Sequence, residues 1–212
     1  MKTCIHIILC IFLTSTVASA NDKYEQAMLQ QIAAVYKSQS NEELQNVINT
    51  FERIGSAEKS KWEPFYYASF GYVMMATREE NPTTKDSYLD KAEEFLKQAE
   101  ALLPKDSEMA TLQGFIYTMR LTVDPAIRGQ QYSALAMQAL SKAVELNPEN
   151  PRALGLMAQM QLGSARFFKA PITEACETAK VAIEKYDAEA PTNPLAPRWG
   201  RPMTESVIKQ CQ

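Results

Sequence analysis

Residues 92–104 read AEEFLKQAEALLP, and residues 136–148 read AMQALSKAVELNP. Two alanines, a leucine and the closing proline of the first stretch return in the second after a shift of 44 residues. The spacing of Ala92, Leu96 and Ala99 places all three on one face of a helix. A repeat of this length indicates stacked supersecondary units rather than a single enzyme-like core.

The chain on both sides of this repeat also predicts helices. Apolar residues at three- and four-residue spacing predict a helix from about Tyr24, and Ser40 with Glu43 forms a capping box that opens the next helix. Pro64 and Pro151 suit the first turn of later helices, where the missing N–H costs nothing. No segment alternates with a period of two for long enough to indicate a strand. We therefore predict an all-α fold.

A second pattern upstream of each repeated stretch carries a family resemblance. The tetratricopeptide repeat has a first helix with aromatic, bulky and small residues at set positions. Three successive units fill these positions with Tyr67, Phe70, Gly71 and Met74, with Ala110, Gln113, Gly114 and Tyr117, and with Leu154, Met157, Ala158 and Gln161. Residues 62–162 thus resemble the tetratricopeptide repeat family. The resemblance implies a right-handed solenoid of antiparallel helix pairs with small residues where helices cross.

The units depart from the family in length, because the usual repeat has about 34 residues. We interpret the additional residues as insert loops between the first and second helices, all on one edge of the array. Asp124 and Arg128 in the second insert are candidate binding residues, with an internal Asp124–Arg128 pair as the alternative. Tyr88 and Tyr132 are expected to pack beneath their loops. The third insert, residues 163–171, carries Phe167 and Phe168.

A second group of candidate binding residues follows from the resemblance, because the first helices of the family line a concave groove. Transferred by position, the group comprises Phe65, Tyr72, Met75, Glu108, Phe115, Arg152 and Gln159. A groove that is aromatic at one end and polar at the other suits a peptide with an apolar anchor. The alternative is an aromatic lining covered by the N-terminal hairpin or by a neighbouring helix.

Residues 1–20 have the three sections of a secretory signal peptide: Lys2, the apolar run 5–13, and small residues that end at Ala20. Cleavage near Ala20 removes one base and no acid, so the net charge of −3 becomes −4. An uncleaved membrane anchor is the alternative, although the apolar run is short for a span of about 20 residues. We expect a periplasmic or secreted protein with no stable membrane span in the mature chain. Residues 21–190 then form the repeat domain.

Cleavage also removes His6, the only histidine of the sequence. Without imidazole the mature chain has no Ser-His or Cys-His pair and no histidine metal ligand, and its two cysteines are too few for a structural zinc site. A hydrolase built on carboxylates is the alternative, but the first-helix positions supply only Glu108 on the groove. An acidic chain without a basic stripe gives no reason to expect nucleic acid. We predict no catalytic residue, no metal site and no cofactor.

The C-terminal residues 191–212 are predicted to cap the array. Their proline-rich start contains Trp199 and precedes a short helix, and the last helix pair of a solenoid needs a cover for its apolar face. The alternative is that Trp199 and its flanking arginines catch a partner. Cys176 and Cys211 are expected to pair in an oxidising exterior, with two free thiols as the alternative. This ending resembles small exported tetratricopeptide proteins of Bacteroidota-type bacteria.

Together these features predict a non-catalytic scaffold of the cell envelope. Its partner would be a protein or peptide, bound on the groove and the insert loops. The alternative is a small-ligand or glycan binder of a surface uptake system that uses the aromatic end around Phe65, Tyr72 and Phe115.

Overall fold

A computed structural model describes the backbone of residues 5–191 and 193–211, and the side chains of residues 21–191 and 193–211. Within these ranges the chain forms helices and no strand: α1 (Ile5–Lys37), α2 (Asn41–Ala57), α3 (Glu63–Arg78), α4 (Pro82–Leu102), α5 (Ser107–Val123), α6 (Pro125–Leu146), α7 (Pro151–Phe168), α8 (Thr173–Ala188) and α9 (Arg201–Lys209). The predicted all-α solenoid of antiparallel helix pairs is confirmed. The predicted signal peptide, residues 1–20, lies outside the residues whose side chains are described. Among the described helices, none is both long and apolar enough to cross a membrane.

The helices begin where side chains accept hydrogen bonds from the first free N–H groups. The Ser40 hydroxyl accepts from the Glu43 N–H at 3.1 Å, which is the first half of the predicted capping box, and the Glu43 carboxylate accepts from the N–H of Gln39, one residue before the cap, at 2.6 Å. Asn150 caps α7 by accepting from the N–H of Arg152 at 3.0 Å, directly before Pro151. These local signals set the helix boundaries.

The predicted insert loops are wrong, because the additional residues are helical. Helix α4 begins at Pro82 after Asn81, and α6 begins at Pro125 after Asp124. The Asn81 side chain accepts from the Thr84 N–H at 3.0 Å, and Asp124 caps α6 in the same way. A capping residue followed by proline starts a helix at once, so the extra residues lengthen the second helices. The third segment is also helical as far as Phe168.

Small residues lie where the helices approach most closely. A β-carbon added to Gly114 of α5 would lie 2.7 Å from the Leu140 side chain of α6. The repeated alanines are fully buried, as is the third small residue of the pattern: Ala92, Ala99, Ala136, Ala143 and Ala158. Larger side chains at these positions would force the helices apart, so the repeat seen in the sequence is a packing repeat.

Helix α9 closes the C-terminal end of the array by packing on α7 and α8. Cys176 of α8 and Cys211 form a disulfide with Cα atoms 5.8 Å apart. A second apolar cluster lies beside this bond and comprises Ala158, Leu162, Ala175, Ala179 and Val207. The last helix pair therefore has both a covalent and an apolar connection to the end of the chain.

Two glycines allow this end of the chain to come close. A β-carbon on Gly155 of α7 would clash with the Thr204 hydroxyl oxygen of α9. Gly200 has φ +99°, and a β-carbon there would clash with the Tyr186 hydroxyl oxygen. Only glycine combines this left-handed backbone with so little space.

Candidate ligand-binding site

The groove between the first helices of the pairs is filled by the chain's own C-terminal residues. We call residues 195–200 the C-terminal strap. The Trp199 ring stacks between Phe70 of α3, at 5.2 Å between ring centroids, and Phe115 of α5, at 5.5 Å. Phe115 therefore faces the groove as predicted, but it is covered. For Phe115 the cover comes from the C-terminal strap, whereas Phe65 and Tyr72 are covered by the N-terminal hairpin and by the neighbouring helix α4, as the alternative expected.

Hydrogen bonds hold the strap in the groove. The indole N–H of Trp199 donates to the Tyr66 hydroxyl oxygen at 2.9 Å. The Tyr67 hydroxyl donates to the Leu195 carbonyl at 2.9 Å, and the Tyr186 hydroxyl donates to the Trp199 carbonyl at 3.2 Å. The buried polar groups of the strap are thus paired, so the expected cover of the array's end extends along the groove.

The groove positions predicted for α3 are wrong by two residues. The repeat alignment places Tyr72 of α3 at the position of Phe115 in α5. In the structure it is Phe70, and not Tyr72, that stacks on Trp199 as Phe115 does. The reason lies in the contacts of the aligned glycines. Gly71 faces Ile48 of the preceding helix α2, whereas Gly114 faces the second helix of its own pair. Two residues correspond to a rotation of about 200° around the helix axis, so residues predicted to face the groove point to the opposite side of α3.

The three residues of α3 predicted to line the groove consequently pack elsewhere. Phe65 lies against Gly55 of α2, and Tyr72 stacks on Phe95 of α4 at 5.8 Å between ring centroids. Met75 is 3% exposed. Their predicted role in an open groove is corrected to core packing.

The predicted polar end of the groove is a buried ion network. Arg152 of α7 donates from Nε to Glu108 of α5 at 2.9 Å and from Nη1 to Glu189 at 3.2 Å. The Tyr66 hydroxyl also donates to Glu108, at 3.4 Å. Burial raises the pKa of Glu108, and Arg152 opposes that shift. Glu108 and Arg152 therefore satisfy each other, which replaces their predicted role as free ligand contacts, while Gln159 remains exposed on α7.

Asp124 and Arg128 are neither free binding residues, as predicted, nor paired with each other, as in the alternative, because each has another partner. Asp124 accepts from the Ile127 N–H at 3.1 Å as the cap of α6. The Arg128 guanidinium makes two hydrogen bonds of 2.7 Å to the carboxylate of Asp86 on α4, and Arg120 of α5 adds a third at 3.1 Å. The cluster ties α4, α5 and α6 together at the edge where the insert loops were expected.

This cluster predicts a pH-dependent contribution to stability. Hydrogen bonding from Arg128 lowers the pKa of Asp86 below its usual 3.8. A lowered folded-state pKa stabilises the fold above the unfolded value and loses that effect as the pH falls through the folded value. We expect Asp86→Asn to cost about 1 kcal/mol of unfolding free energy at neutral pH and nothing once the carboxylate is protonated. Urea denaturation across this range measures the difference, and a pH-independent deficit would contradict it.

A cleft of about 420 Å³ lies between α6, α7 and α8. Its walls are largely apolar: Met137, Met160, Ala165, Phe168, Pro171 and Ala175. Gln161 and Glu174 add polar groups, and they are joined by a hydrogen bond of 2.8 Å. The side-chain amide oxygen of Gln161, Oε1, is buried and has no hydrogen-bond partner among the described residues. The volume falls within the range of about 300–1,000 Å³ that is typical of small-molecule sites.

A pair of exposed phenylalanines lies beside this cleft, and one of them, Phe168, lines it. Phe167 and Phe168 are 81% and 72% exposed, and their rings meet edge to face at 5.0 Å between centroids. Ile127, at the start of the antiparallel neighbour α6, is 81% exposed at the same end of the helix pair. Large apolar residues grouped beside a cleft indicate a binding site more than scattered single ones do. The adjacent phenylalanines in a predicted insert were the sequence signal for this site, although the cleft itself needs α6 and α8.

A second depression, of about 530 Å³, lies between α8 and α9. Its rim carries two lysines and two glutamates around Ile183 and Ile208, and no aromatic residue. Alternating charges of this kind are typical of a solvated surface, so the cleft beside Phe168 is the better candidate site. Among the described residues, no group of acidic, histidine or cysteine side chains could hold a metal ion.

Comparison with known proteins identifies the family. No protein-family model and no curated protein matches the chain. Among solved structures, the HusA haemophore from Porphyromonas gingivalis matches with a TM-score of 0.80 and 31% sequence identity, over 89% of this chain and 92% of that chain. The chain belongs to the HusA family. The predicted resemblance to tetratricopeptide-like helical-repeat proteins of Bacteroidota is thereby confirmed.

A second solved structure extends the comparison of the fold beyond the HusA family. TTC0263, a thermophilic TPR protein of Thermus thermophilus, matches with a TM-score of 0.55 and 19% identity, over 92% of this chain and 95% of that chain. At this identity the match shows the fold alone. The chain therefore shares the helical-repeat fold of a TPR protein.

Proposed function

We propose that this protein is an exported, non-catalytic carrier of haem or a closely related porphyrin, which binds in the cleft between α6, α7 and α8. The observation that carries the proposal is Phe168, which lines that cleft and is 72% exposed, with the exposed Phe167 ring against it. Haem or a porphyrin is supported as the ligand because the chain belongs to the family of the HusA haemophore. The predicted signal peptide supports export.

The chemistry of the cleft suits a flat apolar ring system. An aromatic side chain stacks on such a ring, and burial of its apolar faces supplies the driving force. Met137 and Met160 add polarisable thioethers that adapt to the shape of the ligand. Because no histidine follows His6 in the sequence, binding depends on these contacts and not on an imidazole bond to iron.

The predicted peptide scaffold is the weaker candidate on this geometry. A peptide in the groove would have to displace the C-terminal strap, including Trp199 and its three-ring stack. A glycan ligand loses support for a similar reason, because Phe65, Tyr72 and Phe115 are packed or covered. Small-molecule binding in the open cleft requires neither rearrangement.

The test is a titration of haemin into the purified mature protein, followed by visible absorbance. We expect saturable binding, and we expect Phe168→Ala to weaken it about tenfold, because the variant loses the stacking ring and its apolar area. Leu102→Ala is the matched control: it removes an apolar side chain that is 37% exposed at the end of α4, outside the cleft. Absence of haemin binding by the wild-type protein, or equal binding by Phe168→Ala, would refute the proposal. Capture of a peptide with Trp199 displaced would favour the scaffold.

A further inference from the structure

The exposed Lys169 lies in the chain between two residues that line the proposed haem cleft. Lys169 directly follows Phe168 and precedes Ala170, and both of these neighbours line the cleft. Its backbone is left-handed, with φ 53° and ψ 37°, and this conformation ends α7. The Lys169 N–H donates to the Arg166 carbonyl at 3.2 Å, and the Ala170 N–H donates to the Ala165 carbonyl at 2.7 Å. The turn that holds Lys169 between these two lining residues is therefore fixed by hydrogen bonds to the end of α7.

The side chain of Lys169 is available to a ligand. Lys169 is exposed and makes no ion pair or side-chain hydrogen bond within the described part of the chain. The acidic group of the cleft, Glu174, already accepts a hydrogen bond from the Gln161 amide at 2.8 Å. A lysine has a compact ammonium on a flexible stem, so it follows a charged group at the edge of a bound ring.

We propose that the cleft selects planar apolar ligands that carry carboxylate substituents, and that Lys169 recognises a carboxylate by ion pairing. The inference rests on the proposed function, because it assigns the orientation of the same ligand. The apolar ring would lie against Phe168 and Met137, and its carboxylates would point to the rim. A ring with uncharged edges would keep the apolar contacts and lose the ion pair.

The experiment compares haemin with its dimethyl ester, in which both carboxylates are blocked. For the wild-type protein we expect tighter binding of haemin than of the ester. We expect Lys169→Gln to weaken haemin binding about two- to fivefold, as for an exposed ion pair, and to leave binding of the ester unchanged. Lys169→Glu should weaken haemin binding further, because repulsion replaces attraction.

The chain contains a matched control for the unusual backbone. Lys105, in the turn between α4 and α5, is also exposed and has φ 59°, but it lies outside the cleft. Lys105→Gln therefore carries the same change in the same conformation, and it should bind both ligands as the wild-type protein does. Thermal unfolding of both variants checks that each is folded.

The outcomes separate this inference from the function on which it rests. Equal affinity of the wild-type protein for haemin and for the ester overturns the role of the carboxylates. An unchanged haemin affinity in Lys169→Gln, or an equal loss for both ligands, overturns the role of Lys169. In each of these cases haemin still binds, so the proposed function survives. Failure of the wild-type protein to bind either ring defeats the proposed function itself.

Discussion

Trp199→Ala is expected to lower the free energy of unfolding by about 3–5 kcal/mol, the range for removing a large buried ring from a core. The indole is 5% exposed and stacks on both Phe70 and Phe115, so its removal leaves a cavity between two first helices. It also removes the hydrogen bond to Tyr66. Urea denaturation followed by circular dichroism measures the loss.

Two further variants show whether the strap itself is the cause. Trp199→Phe keeps an aromatic ring in the stack but loses the N–H donor, so we expect a smaller loss of about 1–2 kcal/mol. Phe167→Ala removes a phenylalanine that is 81% exposed and should change the unfolding free energy by less than about 0.5 kcal/mol. If Trp199→Ala were as stable as Phe167→Ala, the strap would not be part of the folded core.

The second large effect is expected for Arg152→Met, which should cost about 3–5 kcal/mol at neutral pH. Arg152 is 5% exposed, and its removal leaves the Glu108 carboxylate buried between α5 and α7 without its cation. Glu189 loses the same partner but is more exposed, so Glu108 accounts for most of the cost. Chemical denaturation at neutral pH provides the measurement.

The pH dependence of this variant has a defined sign. Burial already raises the pKa of Glu108 above its usual 4.5, and loss of Arg152 removes the main opposing influence. An acid with a raised folded-state pKa adds stability below the unfolded value and loses it as the pH rises through the folded value. The deficit of Arg152→Met should therefore shrink as the pH falls from neutral towards 4.5. A deficit that grows on acidification would contradict the assignment.

Two further variants show whether the cost of Arg152→Met comes from burial of the stranded charge or from the loss of any ion pair. Lys142→Met breaks the exposed pair between Lys142 and Glu145, whose side chains are 53% and 71% exposed, and should cost no more than about 1 kcal/mol. Adding Glu108→Gln to Arg152→Met removes the stranded charge and should restore part of the lost stability. No recovery in the double variant would mean that the cost of Arg152→Met comes from lost packing of the long arginine stem.

Much of the architecture could be predicted from local patterns in the sequence. The spacing of Ala92, Leu96 and Ala99 defines a helix face, and its return 44 residues later defines the stack. The prediction of insert loops is wrong, although the sequence contains a helix-start signal at both places. Asn81-Pro82 and Asp124-Pro125 have the same form as Asn150-Pro151, which was correctly interpreted as a helix start. A capping side chain and a proline act within one turn, so the sequence alone is enough to predict a helix start at both places.

The errors in the groove have a different origin. Gly71 and Gly114 occupy equivalent places in the sequence pattern, yet they face helices on opposite sides. The sequence pattern predicts that a small residue lies at a helix contact, but it does not predict which neighbouring helix makes that contact. Phe65 and Tyr72 were assigned to the groove from that alignment, and the two-residue difference moved both into packing contacts.

The sequence by itself determined the helical array, because helix faces, caps and small crossing residues depend on neighbours a few positions apart. Only the tertiary structure decided which surface is open. The strap reaches the first repeat through hydrogen bonds between residues 128 and 133 positions apart, from Tyr67 to Leu195 and from Trp199 to Tyr66. The cleft beside Phe168 likewise needs three helices at once. Such contacts join residues that are far apart in the sequence, so the spacing of residues along the chain does not predict them.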